Sequence, residues 1–238
     1  MNKIKYFEQQ NNGACSARNL GYINSSGEFL AFLDCDDIYV SNKVERYLSL
    51  FEIDQKLGLV YSPEYLIDGN GIIVGLHRDR NAKGGFIHNA LLKKNIIGSS
   101  TPIMKRDVIK KIGLWDENIF TTADWEYWLR ISANIKFGFI DEPLSMSRIT
   151  SSYNSKNILK YLDESFYIFN KYKNEYNFAN INIAHAEVFN MVHKYYSQNG
   201  DYKNARKFLN QAIRTFPFTL KYYYFYFNLA KSSLKKIK

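Results

Sequence analysis

Phe29-Leu30-Ala31-Phe32-Leu33-Asp34-Cys35-Asp36-Asp37 is the stretch on which the reading of the fold turns. Five apolar residues give way at once to three carboxylates within four positions, as in a buried strand ending at a binding edge. Open α/β sheets take their ligands at the carboxyl ends of their strands. Adjacent carboxylates repel one another unless a cation lies among them. A hard divalent cation asks for oxygen ligands, typically one or two carboxylates completed by water and phosphate oxygens. The competing reading is a solvated turn leading into a helix N-terminus, which also suits negative charge.

Outward from this stretch, short apolar runs alternate with amphipathic segments from Lys3 to about Leu144, the pattern of an α/β sheet covered by helices. Ile4 to Glu8 reads as a strand, Gly13 to Asn24 as a helix capped by Asn12, and Glu28 to Leu33 as the strand that stops at the carboxylates. Ser41 caps a helix whose Val44, Tyr47, Leu48 and Phe51 share one face. Asp68-Gly69-Asn70-Gly71 predicts a hairpin turn between Leu57 to Tyr61 and Ile72 to Leu76. Phe86 to Lys93 reads as a helix and Thr101 to Met104 as a strand. Arg106 to Ile112 reads as a short helix closed by Gly113, with a further helix from about Asp124.

Beyond Thr150 the period becomes helical throughout, with Ile158, Leu162, Phe166 and Phe169 on one face. The expected organisation is an α/β domain over 1–150 and an all-α region over 151–238. Ala186 to Pro217 reads either as one tetratricopeptide-like helical hairpin or as a plain helical hairpin.

Composition narrows the function classes. Cys15 and Cys35 have no neighbours at metal-ligand spacing, which argues against a disulfide framework or a zinc site and for a reducing cytoplasm. Met1 to Gln10 lacks the apolar run of a signal peptide, and no segment has the length and apolarity of a membrane span. The net charge of +9 fits nucleic acid, an anionic membrane surface or a phosphorylated substrate. Basic residues are not gathered around aromatics in the sheet region, which argues against nucleic acid. Lys231, Lys235, Lys236 and Lys238 instead follow the aromatic run Tyr222 to Phe227, the pattern of an interfacial helix and of peripheral contact with a membrane. His77, His88, His185 and His193 share no ligand spacing and read as ordinary surface or core residues.

Asn12-Gly13-Ala14, Ala17-Arg18-Asn19, Gly21, Gly27-Glu28-Phe29 and Phe32 to Asp37 together resemble the central block of the family 2 glycosyltransferases, which adopt the GT-A fold. A second block, Ile112-Gly113-Leu114-Trp115-Asp116-Glu117 followed by Ala123-Asp124-Trp125-Glu126-Tyr127-Trp128-Leu129-Arg130, resembles that family's later motif. The implied fold is α/β, a partial GT-A-like, mostly parallel sheet with flanking helices. The implied reaction moves a sugar from a nucleotide-sugar donor to a glycan or lipid-linked acceptor, with inversion, for cell-surface polysaccharide.

By position, the resemblance makes Asp36 the ligand of Mg²⁺ or Mn²⁺ and Asp34 the acid near the ribose. Gly13, Arg18 and Asn19 fall at the donor pocket, with Arg18 serving either the pocket or as partner of Asp34 or Asp37. Ala123-Asp124 stands where relatives carry Glu-Asp, and its second acid, Asp124, is implied as the catalytic base; a helix cap is the other role open to it. Trp125 and Trp128 read as core rather than acceptor contacts. Thr150 stands where relatives often carry a histidine that contacts metal or diphosphate.

The resemblance begins at about Ile4, after the strand, helix and strand with which the family opens. The chain is therefore expected to be N-terminally truncated, through an internal start or as a degenerate transferase. A non-catalytic interaction or membrane-associated module is the alternative function.

Overall fold

The computed structural model describes residues 4–149 and 155–235, with side chains for all of these except 155–156 and 230–235. The chain divides into two compact units, one of residues 1–91 and 95–151, the other of residues 92–94 and 152–238. Thr150 lies outside the described residues.

The first unit runs α1 (Gly13–Ile23), β1 (Phe29–Ala31), β2 (Ile38–Tyr39), α2 (Lys43–Ile53), β3 (Leu57–Tyr61), β4 (Glu64–Ile67) and β5 (Ile73–His77). It continues with α3 (His88–Leu91), β6 (Ile103–Lys105), α4 (Arg106–Ile112), α5 (Ala123–Ser132), β7 (Lys136–Phe139) and β8 (Ser145–Arg148). Two four-stranded sheets form, in the orders β1-β6-β3-β7 and β2-β8-β4-β5. Only β3 with β7 and β4 with β8 run parallel; the other four pairings are antiparallel. The sheets are thus mixed, not mostly parallel as expected, because β6 enters antiparallel between β1 and β3.

At the middle of the first sheet, β3 is buried along its whole length. Gly58 is required there, because a Cβ would collide with the Ile135 side chain. Tyr47 and Phe51 of α2 close over Leu57 and Val60 of β3, with Ile103 and Leu144 completing the cluster. Arg106 to Ile112 forms as expected, and Gly113 ends it at φ +94°, a conformation that suits glycine alone.

Several expectations are corrected. Ile4 to Glu8 forms no strand and is exposed, with Ile4 86% accessible. Among the described residues β1 is paired only on its β6 side, and Ile4 to Glu8 does not take up the free edge. For the same reason the strand before the acids is only half-buried: it spans Phe29–Ala31, and Leu30 alone of its residues is buried. The hairpin across Asp68 to Ile72 pairs β5 with β4 rather than with Leu57 to Tyr61. α2 is preceded by Asn42, not Ser41, and Val44 points outward while Tyr47 and Phe51 are buried. The helix expected over Phe86 to Lys93 shrinks to the single turn α3.

The second unit contains α6 (Ser155–Lys171), α7 (Phe178–Gln198), α8 (Tyr202–Thr215) and α9 (Leu220–Lys235). Ala186 on α7 and Ala205 and Ala212 on α8 are buried, and such small side chains allow a close helix crossing. Gly200, at φ +74°, turns the chain between them, and Asp201 caps α8 by accepting from Asn204 N–H at 3.0 Å. Tyr222 and Leu229 of α9 complete this core.

One buried amide fastens α1 to the segment after α4. Asn19, 3% exposed, accepts from Trp115 N–H at 3.0 Å and donates to Trp115 O at 3.1 Å and to Glu117 Oε1 at 2.8 Å. Asn19→Ala leaves the Trp115 backbone groups without partners in a buried site, and we expect a loss of about 2–3 kcal/mol in denaturant unfolding. An unchanged unfolding midpoint would contradict this role.

Candidate active site

The turn after β1 carries the acids, and its backbone is held from several sides. Asp37 N–H donates to Asp34 O at 3.0 Å, and the Tyr39 hydroxyl donates to Phe32 O at 2.7 Å. From β8, Arg148 donates its backbone N–H to Asp37 Oδ1 at 3.0 Å and its Nε to Asp36 O at 3.1 Å. Each carboxylate consequently meets a different environment.

Asp34 is neutralised and oriented. Arg18 on α1 donates to its Oδ1 at 2.6 Å, and the Ser99 hydroxyl donates to Oδ2 at 2.7 Å. The Arg18 guanidinium also lies 4.7 Å from the Trp115 ring centroid, which restricts where it can swing. Arg18 thus pairs with Asp34 and also stands on the wall of the cleft. Asp37 is drawn inward, and burial raises its carboxyl above the usual range against hydrogen bonds from Ser100 and the Arg148 backbone. Asp36 is exposed, and among the described residues no side chain engages its carboxylate.

A cleft of about 550 Å³ opens beside the turn, lined by Ala14, Ala17, Arg18 and Tyr22 of α1 and by Leu30 and Asp34. Gly13 starts α1 at φ +86°, where a Cβ would stand 3.1 Å from the Phe120 ring, so glycine is needed on backbone grounds. Asn19 turns away from the cleft into its bonds with Trp115 and Glu117. It lies off the cleft lining and fixes α1, the helix whose other residues form that wall.

Asp124 occupies the first turn of α5, two residues past the N-cap Thr122, so it is not itself the cap. The helix N-terminus suits its charge. Its Oδ1 accepts from Trp125 N–H at 2.8 Å and its Oδ2 from Asn95 Nδ2 at 2.8 Å. Burial dominates and pushes its carboxyl up to about 6, against the Trp125 N–H, Arg18 and Asn95, with the Asp34 charge adding to the rise. Asp124 is thus electrostatically coupled to the Arg18–Asp34 pair. Trp125 and Trp128 are core residues, and the Trp125 indole donates to Leu91 O at 2.7 Å.

Residues 98–101 form the piece that the sequence reading passed over. Ser99 holds Asp34, while the Ser100 hydroxyl accepts from Asp34 N–H at 3.0 Å and supports Asp37. Ser100 O accepts from the fully buried Lys43 Nζ at 2.6 Å. Gly98 must be glycine, because a Cβ would collide with the Glu64 carboxylate. Glu64 in turn accepts from Ser147 at 2.5 Å and shares a hydrogen bond with His77 Nδ1 at 2.8 Å. The available signal was the run Gly98-Ser99-Ser100-Thr101, small and polar between apolar neighbours.

Among the described residues no group of three or more His, Cys, Asp or Glu side chains could hold a metal ion. The donors present still fit Mg²⁺ or Mn²⁺, which take one or two protein carboxylates and fill their shells with phosphate oxygens and water. Asp36 offers such an oxygen, while Asp34 and Asp37 are already engaged. Both cysteines are free, Cys15 buried and Cys35 exposed.

An ionised carboxylate held at a raised pKa costs folding energy. The pKa of about 6 exceeds the unfolded value near 4, so stability is full below about pH 4 and falls as pH rises through 6. Asp124→Asn should therefore stabilise the fold by roughly 1–3 kcal/mol at pH 8 and by almost nothing at pH 4, measured by thermal or urea unfolding. Equal effects at both pH values would show that the carboxyl is not strained.

The chain is 28% identical over 242 residues to an uncharacterized glycosyltransferase of Rickettsia conorii, covering 92% of this chain and 38% of that protein. It is 29% identical over 159 residues to the UDP-Glc:alpha-D-GlcNAc-diphosphoundecaprenol beta-1,3-glucosyltransferase WfgD of Escherichia coli, covering 62% of this chain and 57% of that protein. The chain thus spans well under two thirds of these relatives. Among solved structures, the mannosyltransferase PcManGT of Pyrobaculum calidifontis, in complex with GDP-Man and Mn²⁺, superposes with a TM-score of 0.55 at 15% identity. That match covers 95% of this chain and 61% of the other. S. aureus TarS, residues 1–349, superposes with a TM-score of 0.54 at 16% identity, covering 89% of this chain and 63% of that one. These likenesses show a GT-A-type fold. The profile of the family described as Glycosyltransferase like family 2 matches residues 1–215, and the chain belongs to that family.

Proposed function

We propose that the protein transfers a sugar from a nucleotide-sugar donor to a glycan or lipid-linked acceptor, with inversion at the anomeric carbon and dependence on Mg²⁺ or Mn²⁺. The observation that carries this reading is Asp124. It is a half-buried carboxylate held at about 6, fixed by Asn95 and coupled to the Arg18–Asp34 pair beside the cleft. At neutral pH it is mostly ionised yet more basic than an ordinary aspartate, which suits it to take the proton of an acceptor hydroxyl. A single base of this kind is what direct displacement with inversion requires.

Arg18 and Ser99 hold Asp34 in one orientation, where its carboxylate can receive a ribose hydroxyl. Asp36 is the carboxylate left to hold the cation with the donor's diphosphate. When bound, that cation would stabilise the charge on the departing diphosphate. A lipid-linked acceptor draws support from the E. coli relative, named for a diphosphoundecaprenol-linked substrate, and a role in cell-surface polysaccharide at the cytoplasmic face of the membrane is part of the same proposal. No helix among the described residues is long and apolar enough to cross a membrane.

Donor hydrolysis or transfer with Mn²⁺ should fall at least about a hundredfold in Asp36→Ala and in Asp124→Ala. Activity equal to wild type in both would remove the assignment. Calorimetry with nucleoside diphosphates and Mn²⁺ should give heat that Asp36→Ala abolishes; absence of heat in the wild type would favour the interaction-module alternative. Asn95→Ala removes a donor that stabilises the ionised Asp124, so the acid limb of the kcat/KM profile, expected near pH 6, should move to higher pH. An unmoved limb would separate that ionisation from Asp124.

A further inference from the structure

The charge of the chain is not spread along it. Residues 188–238 hold ten Lys and Arg against Asp201 alone, whereas residues 1–187 hold equal numbers of basic and acidic residues. The whole excess of +9 therefore belongs to the C-terminal stretch that builds most of α7, all of α8 and α9.

α9 is apolar on two opposite faces. Tyr222 and Leu229 are buried against α7 and α8, with Phe225 and Tyr226 partly covered beside them. Leu220, Tyr223, Tyr224 and Phe227, spaced i, i+3, i+4, i+7, form a second stripe that faces solvent. Phe218 just before the helix extends it, and it and Leu220 are each 85% exposed, Phe227 72%. A helix that is hydrophobic all round calls for cover on both sides, and an exposed aromatic patch of this kind marks an interaction surface.

We propose that this outer stripe of α9 docks on an anionic lipid surface. Two observations select lipid over a second copy of the chain or a polypeptide partner. First, an identical copy would bring a second C-terminal stretch of charge +9, and the repulsion would oppose pairing, whereas an anionic bilayer attracts it at roughly a factor of several per cation near the surface. Second, the stripe is built from Tyr and Phe with one Leu, rings that lie at the headgroup boundary with a polar tip in water. Lys231 and Lys235 follow the rings in the sequence of the same helix. The inference stands apart from sugar transfer, since binding to lipid needs neither donor nor Asp124.

The test is flotation of the full chain with vesicles of phosphatidylcholine alone or mixed with phosphatidylglycerol, alongside a Tyr224→Ser/Phe227→Ser variant. Both positions are exposed, so circular dichroism should be unchanged. The wild type should float with the mixed vesicles and at least about tenfold less with phosphatidylcholine alone. It should be released by high salt, and the double variant should bind about tenfold more weakly. Failure of the wild type to bind mixed vesicles, equal binding by the variant, or equal binding to both vesicle types would overturn the proposal. So would a dimer in sedimentation that the double substitution dissolves, since the stripe would then be an interface between copies. Tight binding to single-stranded nucleic acid that the variant loses would overturn it in favour of that polyanion.

Discussion

The ammonium of Lys43 is the constraint around which the first unit is arranged. It is fully buried, donates to Ser100 O at 2.6 Å and to Ser145 Oγ at 2.8 Å, and sits 3.6 Å from the Tyr39 ring centroid. Those three contacts join α2 to β8 and β2 of the second sheet and to residues 98–101, whose Ser99 and Ser100 hold the acidic turn. Burial is unfavourable to that charge and draws its pKa down to about 7, against the pull of Glu64 and Asp37. A buried cation survives only where dipoles and carboxylates surround it, and these contacts are therefore intolerant of displacement.

From that anchor the acids acquire separate characters. Asp34, Asp36 and Asp37 are neighbours in sequence, yet one is ion-paired, one exposed and one drawn inward. The differences come from the elements packed around them: Arg18 from α1, Ser99 and Ser100 from the loop fixed by Lys43, and Arg148 from β8. A single Ser147 hydroxyl lies between Asp37 and Glu64, 3.2 Å from one and 2.5 Å from the other, which ties the acidic turn to the His77–Glu64 pair. Adjacent carboxylates would otherwise repel. Here Asp34 and Asp37 are each offset by a different cation or donor, and Asp36 keeps its carboxylate oxygens for a ligand. The second unit divides its labour in a comparable way, with one face of α9 closing a core and the other left apolar in the stretch of sequence that carries the chain's entire excess of positive charge.

The sequence by itself determined the family resemblance, the abrupt end of an apolar strand at Asp34, the helix that opens at Asp124 and the all-helical C-terminal region. These are local facts of pattern, period and residue type, which survive in a one-dimensional reading. The tertiary structure decided which strands pair, because antiparallel β6 arrives between β1 and β3 from seventy residues away, and register across such a gap leaves no local trace. It decided that Asn19 fastens α1 to Trp115, that Ile4 to Glu8 pairs with no strand, and that Lys43 is buried although lysine is ordinarily a surface residue. It also gave Asp124 its basicity. Desolvation and the charges of Arg18 and Asp34 depend on what surrounds a carboxylate in space, and sequence neighbours specify only a small part of that.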